Sequence, residues 1–93
     1  MKFISNAKSG EPVENGTIFR RKAGGLNIVV HKIIYCEGWH LSCAEIGVRD
    51  MSLKSETLIK AIREAETVVK KKISKMQVDI AEAINESVEI SRY

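Results

Sequence analysis

Apolar positions in this chain follow two rhythms. Through the middle they alternate or cluster in short runs, and from Ser55 onward they recur at steps of three and four. Thr17–Lys22 reads as a strand, with Ala23-Gly24-Gly25 as its turn. Leu26–Tyr35 reads as the central strand, because Ile28, Val29, Val30, Ile33 and Ile34 are β-branched and supply apolar groups to both faces. Cys36-Glu37-Gly38 turns the chain into a third strand, Trp39–Val48. Within it Trp39, Leu41 and Cys43 share one face, while His40 and Ser42 take the other. Arg49–Lys54 then links sheet to helix.

The helix is expected from Ser55 to Ile90, with Ser55 as N-cap and Glu56 suited to the positive end of the helix dipole. Neither Gly nor Pro interrupts it. Leu58, Ile62, Ala65 and Val69 form one apolar series; Ile73, Met76, Ile80, Ala83, Ser87 and Ile90 form a second. A four-residue step from Val69 to Ile73 joins them as a heptad seam with one stutter. Thirty-six helical residues span roughly 54 Å, whereas a compact domain of this length has a radius of gyration near ~12 Å. The first half, to about Val69, can cover a sheet. The second half needs a partner, so a homo-oligomer through this helix is expected, with a bend near Ser74 as the alternative. The predicted fold class is α+β: a three- to four-stranded antiparallel sheet followed by one long C-terminal amphipathic helix.

Residues 1–16 hold small polar residues, the single proline and an Asn-Gly pair, so they read as a mobile N-terminal arm; residues 17–93 read as one domain. Two cysteines are too few for a disulfide scaffold, no apolar run matches a membrane span, and Met1-Lys2-Phe3-Ile4 turns polar by Ser5. A cytoplasmic protein is the expectation. The net charge of +3 is unevenly spread. Residues 60–75 carry six basic side chains against two acidic ones, and residues 76–93 carry Asp79, Glu82, Glu86 and Glu89 against Arg92. The helix is thus basic in its middle and acidic toward its end.

Candidate chemistry is sparse. Cys36, His40 and Cys43, with His31 nearby, lack a Cys-x-x-Cys knuckle, and His40 and Cys43 fall on opposite strand faces; no metal is expected. Cys43 shares the core-side face of Trp39 and Leu41, where a thiol is inert. No Ser/His/Asp arrangement or glycine-rich phosphate loop is recognisable, so neither an enzyme nor a bound cofactor is expected. The Arg20-Arg21-Lys22 run is more informative. Successive strand residues face opposite ways, so at least one arginine reaches open surface. Arginine's planar fork suits phosphate, and an aromatic ring suits a base. The candidate ligand-binding residues are Phe19, Arg20, Arg21, Trp39, His40 and Arg49. The bland reading of the same residues is solvated charge on an edge strand and a core tryptophan.

From Ile28 to Ile73 the plan of strand, turn, strand and a helix reading Ser-Glu-Thr-Leu-Ile-Lys-Ala-Ile-Arg-Glu-Ala resembles the antitoxin of HicAB toxin–antitoxin systems. That family's proline- and glycine-bearing segment after the third strand is missing here. Over residues 17–90, with Gly38-Trp39-His40-Leu41-Ser42-Cys43 and then Ile46-Gly47-Val48, the architecture is similar to the phage-encoded Thoeris anti-defence sponges. That resemblance implies an oligomer that sequesters a cyclic nucleotide-type immune signal between subunits, in the cytoplasm of the host cell. The arginines and aromatics would then grip a phosphate-bearing ligand. The alternatives are a protein-binding inhibitor or antitoxin module, and a nucleic-acid-binding protein.

Overall fold

Gly24-Gly25 closes the hairpin on which the sheet is built: Ala23 pairs with Leu26 on either side of it, and Gly24 takes a positive φ of 59°. The structure, a computed structural model, describes residues 3–85. Five antiparallel strands lie in sequence order: β1 (Ile4–Ser5), β2 (Ile18–Ala23), β3 (Leu26–His31), β4 (His40–Cys43) and β5 (Val48–Ser52). One helix, α1 (Leu58–Asn85), follows. The fold is α+β, with five strands rather than the expected three to four.

Both additional strands come from segments that read as irregular. Ile4–Ser5, inside the expected arm, pairs with β2 in the register Ile4 to Arg20 and Ser5 to Phe19. Behind it Asn6 Oδ1 accepts the backbone N–H groups of Thr17 and Ile18 at 2.8 and 3.0 Å. β5 occupies most of the expected Arg49–Lys54 linker. The third strand stops at Cys43 because Ala44–Ile46 forms a 3-10 turn, closed by Gly47 N–H on the Ala44 carbonyl at 3.0 Å. Gly47 has φ 74°, the left-handed conformation glycine adopts without a Cβ penalty. The reversal sets Val48 opposite Cys43 and Ser52 opposite His40.

β3 is the central strand, as its β-branched composition predicts, yet it ends at His31 rather than Tyr35. Lys32 N–H bonds the Thr17 carbonyl at 2.9 Å, and a turn closes from Cys36 N–H to the Ile33 carbonyl at 3.1 Å. Ile34 and Tyr35 are left fully outside, Tyr35 at φ 67°.

The helix-facing side of the sheet carries Phe19, Ile28, Val30, Leu41 and Cys43. They close on Ala61, Ala65 and Val69 of α1, with Trp39, Ile46, Val48 and Leu53 at the margins. The alanines matter here: with no side chain beyond Cβ, they let the helix axis approach the sheet closely. Ser55 is not the N-cap. The helix begins at Leu58, and the Thr57 carbonyl takes its first bond, from Ala61 N–H at 2.9 Å. Ser55 is engaged elsewhere, by the carboxylate of Glu64.

α1 runs unbroken through Ser74, without the bend considered for it. Its 28 residues make it about 42 Å long. The radius of gyration is 17.5 Å and the extents are 65 × 26 × 20 Å, well beyond a compact domain of this size. Only the first half covers the sheet. From Met76 on, the described side chains are exposed; Ser87 and Ile90 lie outside the described residues. No helix among the described residues is long and apolar enough to cross a membrane.

Candidate functional site

Strand alternation divides the basic run of β2. Phe19 and Arg21 point to the helix side, opposite Val30 and Ile28; Arg20 and Lys22 point to the face the helix leaves open. On that open face the register aligns Ile4, Arg20, Val29 and Ser42 in one row across four strands. A second row holds Ile18, His31, His40 and Ser52. A groove of ≈ 490 Å³ runs along the β1–β3 part of the sheet, lined by Ile4, Arg20, Lys22, Asn27 and Val29 of the open face together with the paired Arg21 and Ile28. Arg20 and Lys22 are exposed, and among the described residues neither is in an ion pair.

The six residues singled out in sequence do not form one site. Arg20 and Arg21 both line the groove, but Arg20 is exposed on the open face, whereas Arg21 is half-buried and turned toward the helix side. Phe19 and Trp39 are corrections: they are buried at 4% and 5% exposure and meet edge to face, with centroids 5.7 Å apart. Phe19 lies on the helix-facing side of the sheet and Trp39 is buried against it, so neither presents an open face to a base. Trp39 has its own cation, since Lys32 Nζ sits 4.9 Å from its ring centroid. Arg49 is exposed at the far edge. It lies level with Arg20 but three strand spacings away, roughly 14 Å, too far to share one phosphate. His40 lies on the open side of the sheet, yet it is only 7% exposed and its Nδ1 has no hydrogen-bond partner.

A cluster that sequence spacing concealed sits beside this row. β5 opposes Ser42 with two residues, Arg49 and Asp50, because Cys43 pairs with Val48 and Leu41 with Met51. At this bulge Asp50 takes φ 48°, and its N–H donates to Ser42 Oγ at 2.9 Å. Ser42 Oγ in turn lies 3.2 Å from Asp50 Oδ1 and 2.9 Å from His31 Nε2, and Asp50 Oδ1 is 3.4 Å from the same His31 nitrogen. A nucleophilic triad needs the histidine between its partners, with one ring nitrogen for each. Here serine and aspartate converge on Nε2, and the Ser42 oxygen is occupied as an acceptor for Asp50 N–H. The cluster pins the bulge. The three residues sit on three strands at separations of eleven and eight, which no motif records.

Two other groups are tuned by their surroundings. Burial pushes the Cys43 thiol up, and the neighbouring Glu45 carboxylate adds to the effect, so the thiolate is disfavoured. Glu45 itself is held below its ordinary value by the Asn27 backbone N–H at 2.6 Å and then by the Asn27 amide. That pair ties the β4–β5 turn to the β2–β3 hairpin. Among the described residues no group of three metal-ligating side chains is assembled.

No family model matches this chain, and no curated protein or solved structure matches it either.

Proposed function

We propose that the chain is a non-enzymatic binding protein that holds a phosphate-bearing ligand on the open face of its sheet, most concretely a cyclic nucleotide-type immune signal. The observation carrying this reading is the pair Arg20 and Lys22, side by side in a groove of ≈ 490 Å³ and without a carboxylate partner among the described residues. That volume falls within the usual range for small-molecule sites. A guanidinium and an ammonium on one strand face supply a bidentate donor and a point charge for one phosphate. Ile4 and Val29 give the groove an apolar floor, which suits the non-phosphate part of a nucleotide. Stacking between protein rings is not part of this reading, since Phe19 and Trp39 are buried.

Calorimetry with a panel of cyclic dinucleotides and cyclic ADP-ribose isomers tests it. One member is expected to bind, and Arg20→Ala or Lys22→Ala is expected to weaken that binding tenfold or more. Arg49→Ala, three strands away, is expected to have the smaller effect. No heat from any member of the panel sinks the nucleotide-signal reading. A second reading, an inhibitor or antitoxin module for a protein partner, is favoured by β5, a five-residue edge strand with four exposed residues and, among the described residues, no strand on its outer side. Co-purification of a single stoichiometric protein supports that alternative instead.

A further inference from the structure

The distal half of α1 carries an apolar face that nothing else in the described chain covers. At 100° per residue, Val69, Ile73, Met76, Ile80 and Ile84 fall within an arc of about 80°. Val69 is buried against the sheet and Ile73 is half-buried, but Met76, Ile80 and Ile84 are 39%, 54% and 76% exposed. One continuous stripe therefore begins in the core and ends in solvent.

Charge along the stripe is what selects an occupant. Lys72 and Asp79 stand seven residues apart on the same flank, while the other flank carries Lys70 and Gln77. Two parallel helices set one flank against the opposite flank of the partner, so Lys72 would face Lys70 and Gln77, and Asp79 would meet no cation at its level. Two antiparallel helices set the same flanks together, and Lys72 of each chain then meets Asp79 of the other. On the Lys72 side of the stripe lies a shallow hollow of ≈ 310 Å³ lined by Met51, Val68, Lys71, Lys72 and Lys75. It is an apolar depression rimmed by ammonium groups, complementary to the acidic stretch that contains Asp79 and Glu82.

We propose that this surface binds a second copy of the same chain. The two α1 helices lie antiparallel, Ile73, Met76 and Ile80 close against their counterparts, and Asp79 of each chain pairs with Lys72 of the other beside the Met51 hollow. This pairing uses the helix and leaves the open sheet face free, so it stands apart from the ligand reading.

Sedimentation equilibrium on the full chain is expected to show a dimer. Ile80 is exposed in the single chain, so Ile80→Glu leaves the sheet core intact, checked by unchanged Trp39 fluorescence, while giving a monomer. Asp79→Lys is expected to weaken the dimer about tenfold through two symmetric contacts, and adding Lys72→Glu to it is expected to restore most of the loss. A monomer at every concentration, or a dimer indifferent to Ile80→Glu, overturns the proposal. So does a failure of Lys72→Glu to rescue Asp79→Lys, because the antiparallel contact predicts that rescue.

Discussion

Glu64 reaches back from α1 to Ser55: its Oε1 accepts the Ser55 backbone N–H at 2.9 Å and the Ser55 hydroxyl at 2.8 Å. The same carboxylate takes the Lys54 N–H at 3.0 and 2.9 Å. One side chain thus satisfies two loop N–H groups where the chain leaves the sheet and enters the helix. Partial burial pushes its pKa up, but the bonds from Lys54 and Ser55 outweigh that, and the net shift is downward.

Loss of this carboxylate is expected to loosen the sheet-to-helix junction. Glu64→Ala should cost about 1–2 kcal/mol, the low end for bonds to a charged group because the site is half open to water. Since the folded value lies below the ordinary 4.5, the contribution is present above pH 4.5 and fades as pH falls through the folded value. Urea midpoints of wild type and Glu64→Ala should therefore differ at pH 7 and draw together as the pH is lowered through the folded value. A gap that does not narrow on acidification would contradict this role.

The two thiols should separate cleanly under alkylation. Cys36 is exposed in the β3–β4 loop and Cys43 has no exposed surface. Iodoacetamide at pH 8 is expected to modify one cysteine in the native protein and both in denaturant, read by intact mass. Rapid native modification of Cys43 would mean that the helix does not seal this part of the sheet.

Gly16 is buried where the segment after β1 returns to β2, and its φ is ordinary, so space rather than conformation demands glycine. A Cβ there would meet the Ser5 hydroxyl oxygen, with Asn6 Oδ1 at 2.9 Å and the Ala7 backbone nitrogen at 3.2 Å. The Ser5 oxygen is held by the Val13 carbonyl and the Ala7 N–H and cannot move away without losing them. Gly16→Ala should destabilise by about 1–3 kcal/mol. A melting temperature equal to wild type would show that β1 and its loop shift freely.

The His31–Ser42–Asp50 cluster is expected to hold shape and not to react. Ser42→Ala removes the acceptor for Asp50 N–H at the bulge and should cost about 1 kcal/mol. A fluorophosphonate probe should leave Ser42 unlabelled. Labelling that disappears in His31→Ala would instead show an activated serine.

Much of the plan is legible in the chain itself. Two periodicities mark strands and helix, the β-branched run of β3 marks the centre of the sheet, and alternation from Trp39 to Cys43 separates core from open face. The length and charge asymmetry of the helix are sequence properties too. β1 and β5 were hidden for a physical reason. β1 is two residues long, and β5 has a single buried residue, so neither shows the periodicity that burial imposes. They are strands because β2 and β4 offer unpaired backbone groups at the right distance.

The basic run illustrates the same division. Sequence places Arg20 and Arg21 on opposite faces and leaves open which face the helix takes. Tertiary packing decided it: Phe19 goes under the helix with Trp39, Arg21 follows Phe19, and Arg20 with Lys22 faces outward over the groove. Local periodicity depends on a residue and its near neighbours, so sequence alone determined that a sheet and a long two-sided helix would form. Which side of the sheet is covered, and which serine, histidine and aspartate meet at a bulge, depends on pairing between distant strands. Only the folded chain decides that.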